Sequence, residues 1–221
     1  MKHGIIIVNK PGGITSHDVV DYVRKKLKVR RVGHAGTLDP IATGVLLILV
    51  GRCTKLFNHF AHFDKAYSAT LTLGKRTTSG DRQGEVIHVQ DYSHIREHEV
   101  RDTLQSHIGN VFQVPPMISA VKHKGIRLYT LGRRGIVVNR QPRQVTVKEL
   151  KLLEFAPPLI KFYLECSKGT YVRQLAEDIA KDLGCVGYIS EIERKSIGPF
   201  DIVDAVPLSG IDESSLRPYP F

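Results

Sequence analysis

One carboxylate stands out by its surroundings. Asp39 is the only acid between Tyr22 and Phe63, a stretch that carries Arg24, Lys25, Lys26, Lys28, Arg30, Arg31, Arg52 and Lys55. An isolated acid among bases is most simply a salt-bridge partner or a helix cap. Against a bound polyanion, however, it would repel the ligand, and catalysis is the reason to keep it there. It lies in Gly33-His34-Ala35-Gly36-Thr37-Leu38-Asp39-Pro40-Ile41-Ala42-Thr43-Gly44-Val45-Leu46. The glycines allow tight turns and Pro40 fixes the chain just after the acid. A second polar set, Cys166-Ser167-Lys168-Gly169-Thr170-Tyr171-Val172-Arg173, marks a strand end leading into a helix. Arg173 is the natural partner for Asp39, because an adjacent guanidinium keeps a partly buried carboxylate ionised.

Other chemistry is weakly supported. Lys10-Pro11-Gly12-Gly13-Ile14-Thr15-Ser16 sits between a strand and a helix but lacks phosphate-loop spacing, so a turn and helix cap explain it. His94-Ile95-Arg96-Glu97-His98 matches an inverted zincin pattern, yet the helix is short and polar and a solvated face is the better reading. There is no G-x-S-x-G, dinucleotide fingerprint or recognisable Cys/His pair. Metal, nucleotide and thiol chemistry are therefore all weak, and no metal site is expected.

These residues need a scaffold. Gly4–Asn9 reads as a buried strand, Thr15 or Ser16 caps a helix burying Val19, Val20, Val23 and Leu27, and Val45–Val50 reads as another buried strand. A short helix is expected over Thr54–Phe63 and a half-exposed strand over Lys65–Gly74, with Glu85–Val89 as its partner. Ser93–Ile108 reads as an amphipathic helix, Val145–Phe155 and Leu159–Cys166 as strands, and Thr170–Leu183 as a helix stopped by Gly184. Strands in runs with isolated helices argue for α+β around a central mixed or antiparallel sheet.

With 221 residues, 42% hydrophobic and 24% charged, the chain fits one globular domain, read here as residues 1–221 with a short tail over 201–221. Its longest apolar run, Val45–Val50, is far below the roughly 20 residues of a membrane span. Three scattered cysteines and no signal-peptide pattern suggest a reduced, cytoplasmic protein. The net charge of +10 points to a polyanion, most often nucleic acid. That charge is regional: residues 1–148 carry 24 of the 32 Lys+Arg but 10 of the 22 carboxylates. Thr103 to Lys148 has no acid at all, while Lys122, Lys124, Arg127, Arg133, Arg134, Arg140, Arg143 and Lys148 supply eight cations. With its turn formers, this stretch reads as a long, mostly irregular segment able to grip a nucleic-acid backbone.

At these residues the chain resembles the TruB-type tRNA pseudouridine synthases. The Asp39 segment is similar to the family's catalytic-aspartate motif, and Val8-Asn9-Lys10-Pro11-Gly12-Gly13-Ile14-Thr15-Ser16 to its N-terminal signature. Lys65-Ala66-Tyr67, Pro115–Lys122 and Cys166–Arg173 follow in the family's order. The resemblance implies isomerisation of the uridine at position 55 in the tRNA T-loop to pseudouridine, with tRNA as partner, no cofactor, and a monomer. It casts Asp39 as the essential aspartate, with Lys10, His34, Tyr67, Arg173 and Ile192 at the substrate. Tyr67 would stack on the target base, His34 would fill the gap it leaves, Arg173 would pair with Asp39, and Ile192 would line the pocket. The basic stretch 115–143 would be an inserted RNA-clasping loop.

The chain departs from the family in Glu193, where a second arginine is usual, in a less acidic Arg76–Asp81 stretch, and in having only 21 residues where bacterial members usually carry a small RNA-binding domain. The alternative is a non-catalytic tRNA-binding or tRNA-folding protein on the same scaffold.

Overall fold

The computed structural model describes residues 2–119, 121–132 and 134–219. In chain order it forms β1 (Gly4–Lys10), α1 (Ser16–Leu27), β2 (Val32–Ala35), β3 (Thr43–Val50), α2 (Phe57–Ala61) and β4 (Lys65–Leu73). There follow β5 (Lys75–Thr77), β6 (Val86–Val89), α3 (Glu97–Ser106), β7 (Gly109–Gln113), β8 (Lys122–His123), β9 (Ile126–Arg127) and α4 (Leu128–Gly132). The chain closes with β10 (Arg143–Ala156), β11 (Leu159–Cys166), α5 (Val172–Asp182), β12 (Gly187–Ile197), β13 (Phe200–Asp201) and β14 (Val206–Pro207). The expected α+β class is what forms. Among the described residues no helix is long and apolar enough to cross a membrane.

The chain groups into two compact units, residues up to Ser68 with those from Ile192 on, and Ala69–Glu191. Strands β4 and β12 pass from one unit to the other. In the first unit the strand order is β14-β1-β3-β12. Strand β3 is its spine, with every residue from Val45 to Val50 buried, which is why the run is apolar without alternation. One edge of β3 pairs antiparallel with β1 from Gly4↔Val50 to Lys10↔Gly44. The other edge is shared: β2 takes it from Val32↔Val50 to Ala35↔Leu47, and β12 takes it in parallel at Glu193↔Thr43 and Arg194↔Gly44. The loop 36–42 leaves the sheet at the gap between those two partners. Ile5, Ile7, Val45, Leu47, Leu49, Phe60 and Ile197 form the core on one face.

Helix α1 begins where the residue types require. Thr15 accepts from the Asp18 N–H at 3.1 Å and the Asp18 carboxylate accepts from the Thr15 N–H at 2.7 Å, a reciprocal cap. Its apolar stripe of Val19, Val20, Val23 and Leu27 is buried as expected.

In the second unit the order is β12-β4-β11-β10-β7, with α3 and α5 alongside. Helix α5 buries Val172, Leu175, Ala176, Ile179 and Ala180, and with them Arg173.

One strand is unforeseen and three expectations change. Strand β12 reads poorly in sequence because Glu191, Glu193, Arg194 and Lys195 interrupt it, yet it is 11 residues long and its Glu193 and Arg194 pair in parallel with β3. Strand β4 is buried on both faces and not half-exposed, because it is a central strand. Val86–Val89 pairs with Lys75–Thr77 in a separate two-stranded ribbon, not with β4. The helices expected over 54–63 and 93–108 are shorter, the first being divided between a 3-10 turn over Gly51–Leu56 and α2.

Candidate active site

Asp39 sits half-buried in the loop between β2 and β3. The backbone on either side of it is tied down. Ser16, 2% exposed at the start of α1, accepts from the Leu38 N–H at 2.8 Å and donates to the Leu38 carbonyl at 3.0 Å. The Pro40 carbonyl accepts from the Gly13 N–H at 2.8 Å, and the Asp39 carbonyl from the Ala42 N–H at 3.0 Å. Leu38, Ile41 and Ala42 anchor the loop in the core. A half-buried carboxylate held this way has little freedom to reorient.

Two fully buried cations underlie the loop. Lys10 at the end of β1 is 0% exposed, and its amine donates to the carbonyls of Pro11 at 2.9 Å, Ile14 at 2.8 Å and Pro40 at 3.4 Å. Arg194 in β12 is 1% exposed; it donates from Nε to the Val45 carbonyl at 2.7 Å and from Nη2 to the Gly36 carbonyl at 3.0 Å. Gly44 makes that approach possible. Its φ is +96°, and a Cβ there would stand 2.2 Å from the Arg194 carbonyl oxygen. Buried charge is tolerated here because carbonyl dipoles replace water around it.

Burial pushes the Lys10 amine down to about 8; the Asp39 carboxylate opposes the shift and the Arg194 guanidinium adds to it. The unfolded chain keeps this proton to about pH 10.5, so between the two values it binds more protons than the folded chain and stability rises with pH. The gain is on the order of 3 kcal/mol once both states are neutral. Activity should move the other way. A neutral amine has two donors for three carbonyls, so the longest contact, to Pro40 beside Asp39, is lost first. We expect denaturant unfolding to become harder from pH 8 to 10 while turnover declines with an apparent pKa near 8. A Lys10→Met protein should lack the stability rise; an identical rise in that variant would refute the assignment.

The remaining expected residues fall as follows. His34 is half-buried in β2 opposite Ile48, Tyr67 is buried in β4, and Ile192 is buried in β12 two residues before Arg194. Lys10, His34, Asp39, Tyr67 and Ile192 thus share the first unit with Arg194, which the sequence reading did not single out. In the second unit Arg173 is 4% exposed in the first turn of α5. It donates to the Ser79 carbonyl at 2.6 Å and the Ile118 carbonyl at 2.8 Å, and its Nε lies 3.8 Å from the Asp81 carboxylate. That carboxylate also accepts from Ser79 Oγ at 2.6 Å and the Gln83 N–H at 3.0 Å. Asp81 is a second residue sequence reasoning missed. Two acids on helix α5 are perturbed: burial pushes the carboxyls of Glu177 and Asp178 up, opposed at Glu177 by Arg76 and Arg173 and at Asp178 by the Gln174 hydrogen bond.

The basic stretch is better formed than expected. β8 and β9 make a hairpin whose two turn residues, Lys124 and Gly125, have φ of 47° and 86°, as a type I′ turn requires. Lys122, Lys124, Arg127, Arg134 and Arg143 are exposed, and the Arg127 guanidinium lies 5.9 Å from the Tyr129 ring centre. Arg140 is half-buried and donates to the Pro115 carbonyl at 3.0 Å. Arg133 lies outside the described residues. His94 precedes α3, so it and His98 do not share a helix face.

The profile of the TruB family pseudouridylate synthase N-terminal domain matches residues 24–172. The chain belongs to this family. A tRNA pseudouridine synthase B from Syntrophotalea carbinolica is 44% identical over 210 residues, 95% of this chain and 69% of the relative. One from Endomicrobium trichonymphae is 41% identical over 211 residues, 96% of this chain and 92% of the relative. Among solved structures, the crystal structure of a Cbf5-Nop10-Gar1 complex matches with a TM-score of 0.76 at 26% identity, over 97% of this chain and 60% of that one. The TruB-family chain thus spans three fifths of that solved chain. As a pseudouridylate synthase it is an isomerase; Asp39 lies inside the matched region, and the buried cations Lys10 and Arg194 lie outside it.

Proposed function

We propose that the protein isomerises a tRNA uridine to pseudouridine, and that its target is the uridine at position 55 of the T-loop. The observation that carries the reading is Asp39: one half-buried carboxylate, its flanking backbone tied to Ser16 and Gly13, above buried Lys10 and Arg194. Curated relatives named tRNA pseudouridine synthase B, 44% identical to the chain, supply the substrate class.

The reaction breaks the bond between the ribose and N1 of uracil, rotates the base, and joins the same ribose carbon to C5. The C5 proton is lost and N1 gains one, so atoms balance with no change of oxidation state and no cofactor is needed. A base inside a stack is unreachable, so the uridine must flip out, at a cost of a few kcal/mol. In this reading Asp39 acts on the flipped nucleotide, Tyr67 offers an aromatic face for the base, and Ile192 lines the pocket. His34 fills the vacated space and Arg173 pairs with Asp39. The exposed cations of the β8–β9 hairpin and of 134–143 hold the RNA backbone.

Mass-spectrometric mapping of pseudouridine in a tRNA transcript treated with the protein tests the reading. Conversion confined to the T-loop uridine is expected, and absence of any pseudouridine would overturn it. Reversing Lys124 and Arg134 together to Glu should weaken tRNA binding at least about tenfold and lower its salt slope by about two. Unchanged affinity in a filter-binding titration would remove the hairpin from the RNA interface.

A further inference from the structure

The cations that make Asp39 conspicuous in the sequence gather at the far end of its strand. Lys28, Arg30, Arg31 and Arg52 line a concavity of about 620 Å³ with Lys2 and His3, and among the described residues no carboxylate lines it. It opens where β1, β2 and β3 meet at Gly4, Val32 and Val50; the Asp39 loop lies at their other end, beyond Lys10, Ala35 and Gly44. Six residue steps separate Val50 from Gly44, about 20 Å at roughly 3.4 Å per step.

Three chain segments are laced together to hold these charges. Lys28 ends α1 in the left-handed region, at φ 53°, a conformation that a residue with a side chain rarely adopts. The Gly51 N–H donates to the Arg31 carbonyl at 2.8 Å, and the Arg52 N–H to His3 Nδ1 at 3.2 Å. Gly51 has φ 64°, and a Cβ there would stand 2.2 Å from His3 Nδ1, so only glycine lets the segments close. Lys2 is engaged by Glu213 at 2.7 Å and by the Leu27 carbonyl at 2.8 Å. Among the described residues, Lys28, Arg30, Arg31 and Arg52 have no carboxylate partner, and all four are exposed. Four like charges held by a fixed backbone around one hollow repel one another, and a bound polyanion relieves that repulsion. The hollow exceeds a single phosphate, and the exposed Lys25 and Lys26 of the last turn of α1 extend it into a track.

We propose that this concavity is a second RNA-backbone site, which takes tRNA phosphates outside the T-arm. The proposal rests on the tRNA reading above for its partner. A T-loop closed by five base pairs has a stem of about 17 Å at 3.4 Å per step, less than the roughly 20 Å of β3 that separates the Asp39 end from the concavity. A hairpin seated at Asp39 therefore offers the concavity little backbone. Full-length tRNA can span that distance.

The test is Arg30→Glu/Arg31→Glu in the full chain, with full-length tRNA transcript and the five-base-pair T-arm hairpin titrated across a salt series. Full-length tRNA should bind about tenfold more weakly, with a salt slope smaller by about two, while hairpin affinity stays within about twofold. The neutral pair Arg30→Gln/Arg31→Gln should give a smaller loss of the same kind, with circular dichroism unchanged. Equal losses on both RNAs, or no loss on tRNA, would overturn the proposal. So would backbone amide shifts at residues 28–31 and 52 with millimolar inorganic phosphate when both variants bind tRNA normally, which would mark a small-anion site. If wild type makes no pseudouridine but the double variant still loses tRNA selectively, the site stands and the enzymatic reading falls. If wild type makes pseudouridine and the variants bind tRNA normally, the reverse holds.

Discussion

Asp39→Asn should lower pseudouridine formation at least about a thousandfold while tRNA affinity stays within about twofold. A thousandfold is about 4 kcal/mol of transition-state stabilisation. The substitution keeps size and shape, and the loop's anchors are untouched. They run through the backbone of Leu38 and Pro40 and through the Asp39 carbonyl. What disappears is the negative charge and its lone pairs. Binding should not suffer, because a carboxylate near RNA phosphate repels it, and its removal can only be neutral or favourable to affinity. Single-turnover kinetics on a T-loop transcript, read by mass spectrometry, measure the first quantity, and a binding titration the second. A variant that retains more than a tenth of wild-type turnover removes Asp39 from the chemistry. If wild type binds tRNA but is itself inactive, the non-catalytic reading on the same scaffold takes over.

Arg194→Met should reduce turnover at least about a hundredfold and destabilise the fold by about 2–4 kcal/mol. Methionine fills much of the same volume, so the change is chiefly one of donors and charge. Arg194 serves the carbonyls of Val45 and Gly36, and the loss of its hydrogen bonds leaves two buried acceptors short of a donor, at about 1–3 kcal/mol each. Relief from burying a guanidinium offsets part of that cost. Gly36 lies three residues before Asp39, so the loop that holds the carboxylate loses one of its supports. Because Arg194 is 1% exposed, it does not reach the RNA, and tRNA affinity should change by less than about threefold. Arg194→Lys should fail to restore activity, since one amine cannot reproduce the two-pronged contact with carbonyls on separate segments. Denaturant unfolding gives the stability change, and single turnover the rate. A folded Arg194→Met protein with wild-type turnover would show that the loop does not need this support.

Much of the Asp39 segment was legible because its signals are local. An acid isolated in 42 residues, a proline after it and glycines around it need no knowledge of distant chain. Thr15 with Asp18, and the unbroken apolar run of β3, are equally short-range, and the corresponding elements form where expected. The limits came where a residue's environment is made by chain far away. Arg194 reads as a surface cation, yet its acceptors lie 149 and 158 positions earlier. Strand β12 was missed with it, because the polar residues that hide its pattern are the ones it brings to β3 and to the loop. Asp81 looked like part of a weakly acidic turn until Arg173, 92 positions on, reached it from α5.

Charge shows the same division. Sequence alone determined that the first 148 residues carry the positive excess and that Asp39 stands alone within part of it, since charge and order are properties of the chain. Tertiary structure decided where those cations go. Lys10 and Arg194 lie buried beneath the Asp39 loop, while Lys28, Arg30, Arg31 and Arg52 lie at the opposite end of the same strand. The strand pairings of β3 separate the two groups, and hydrogen-bonded register is a contact between distant segments that no local pattern of residue types contains.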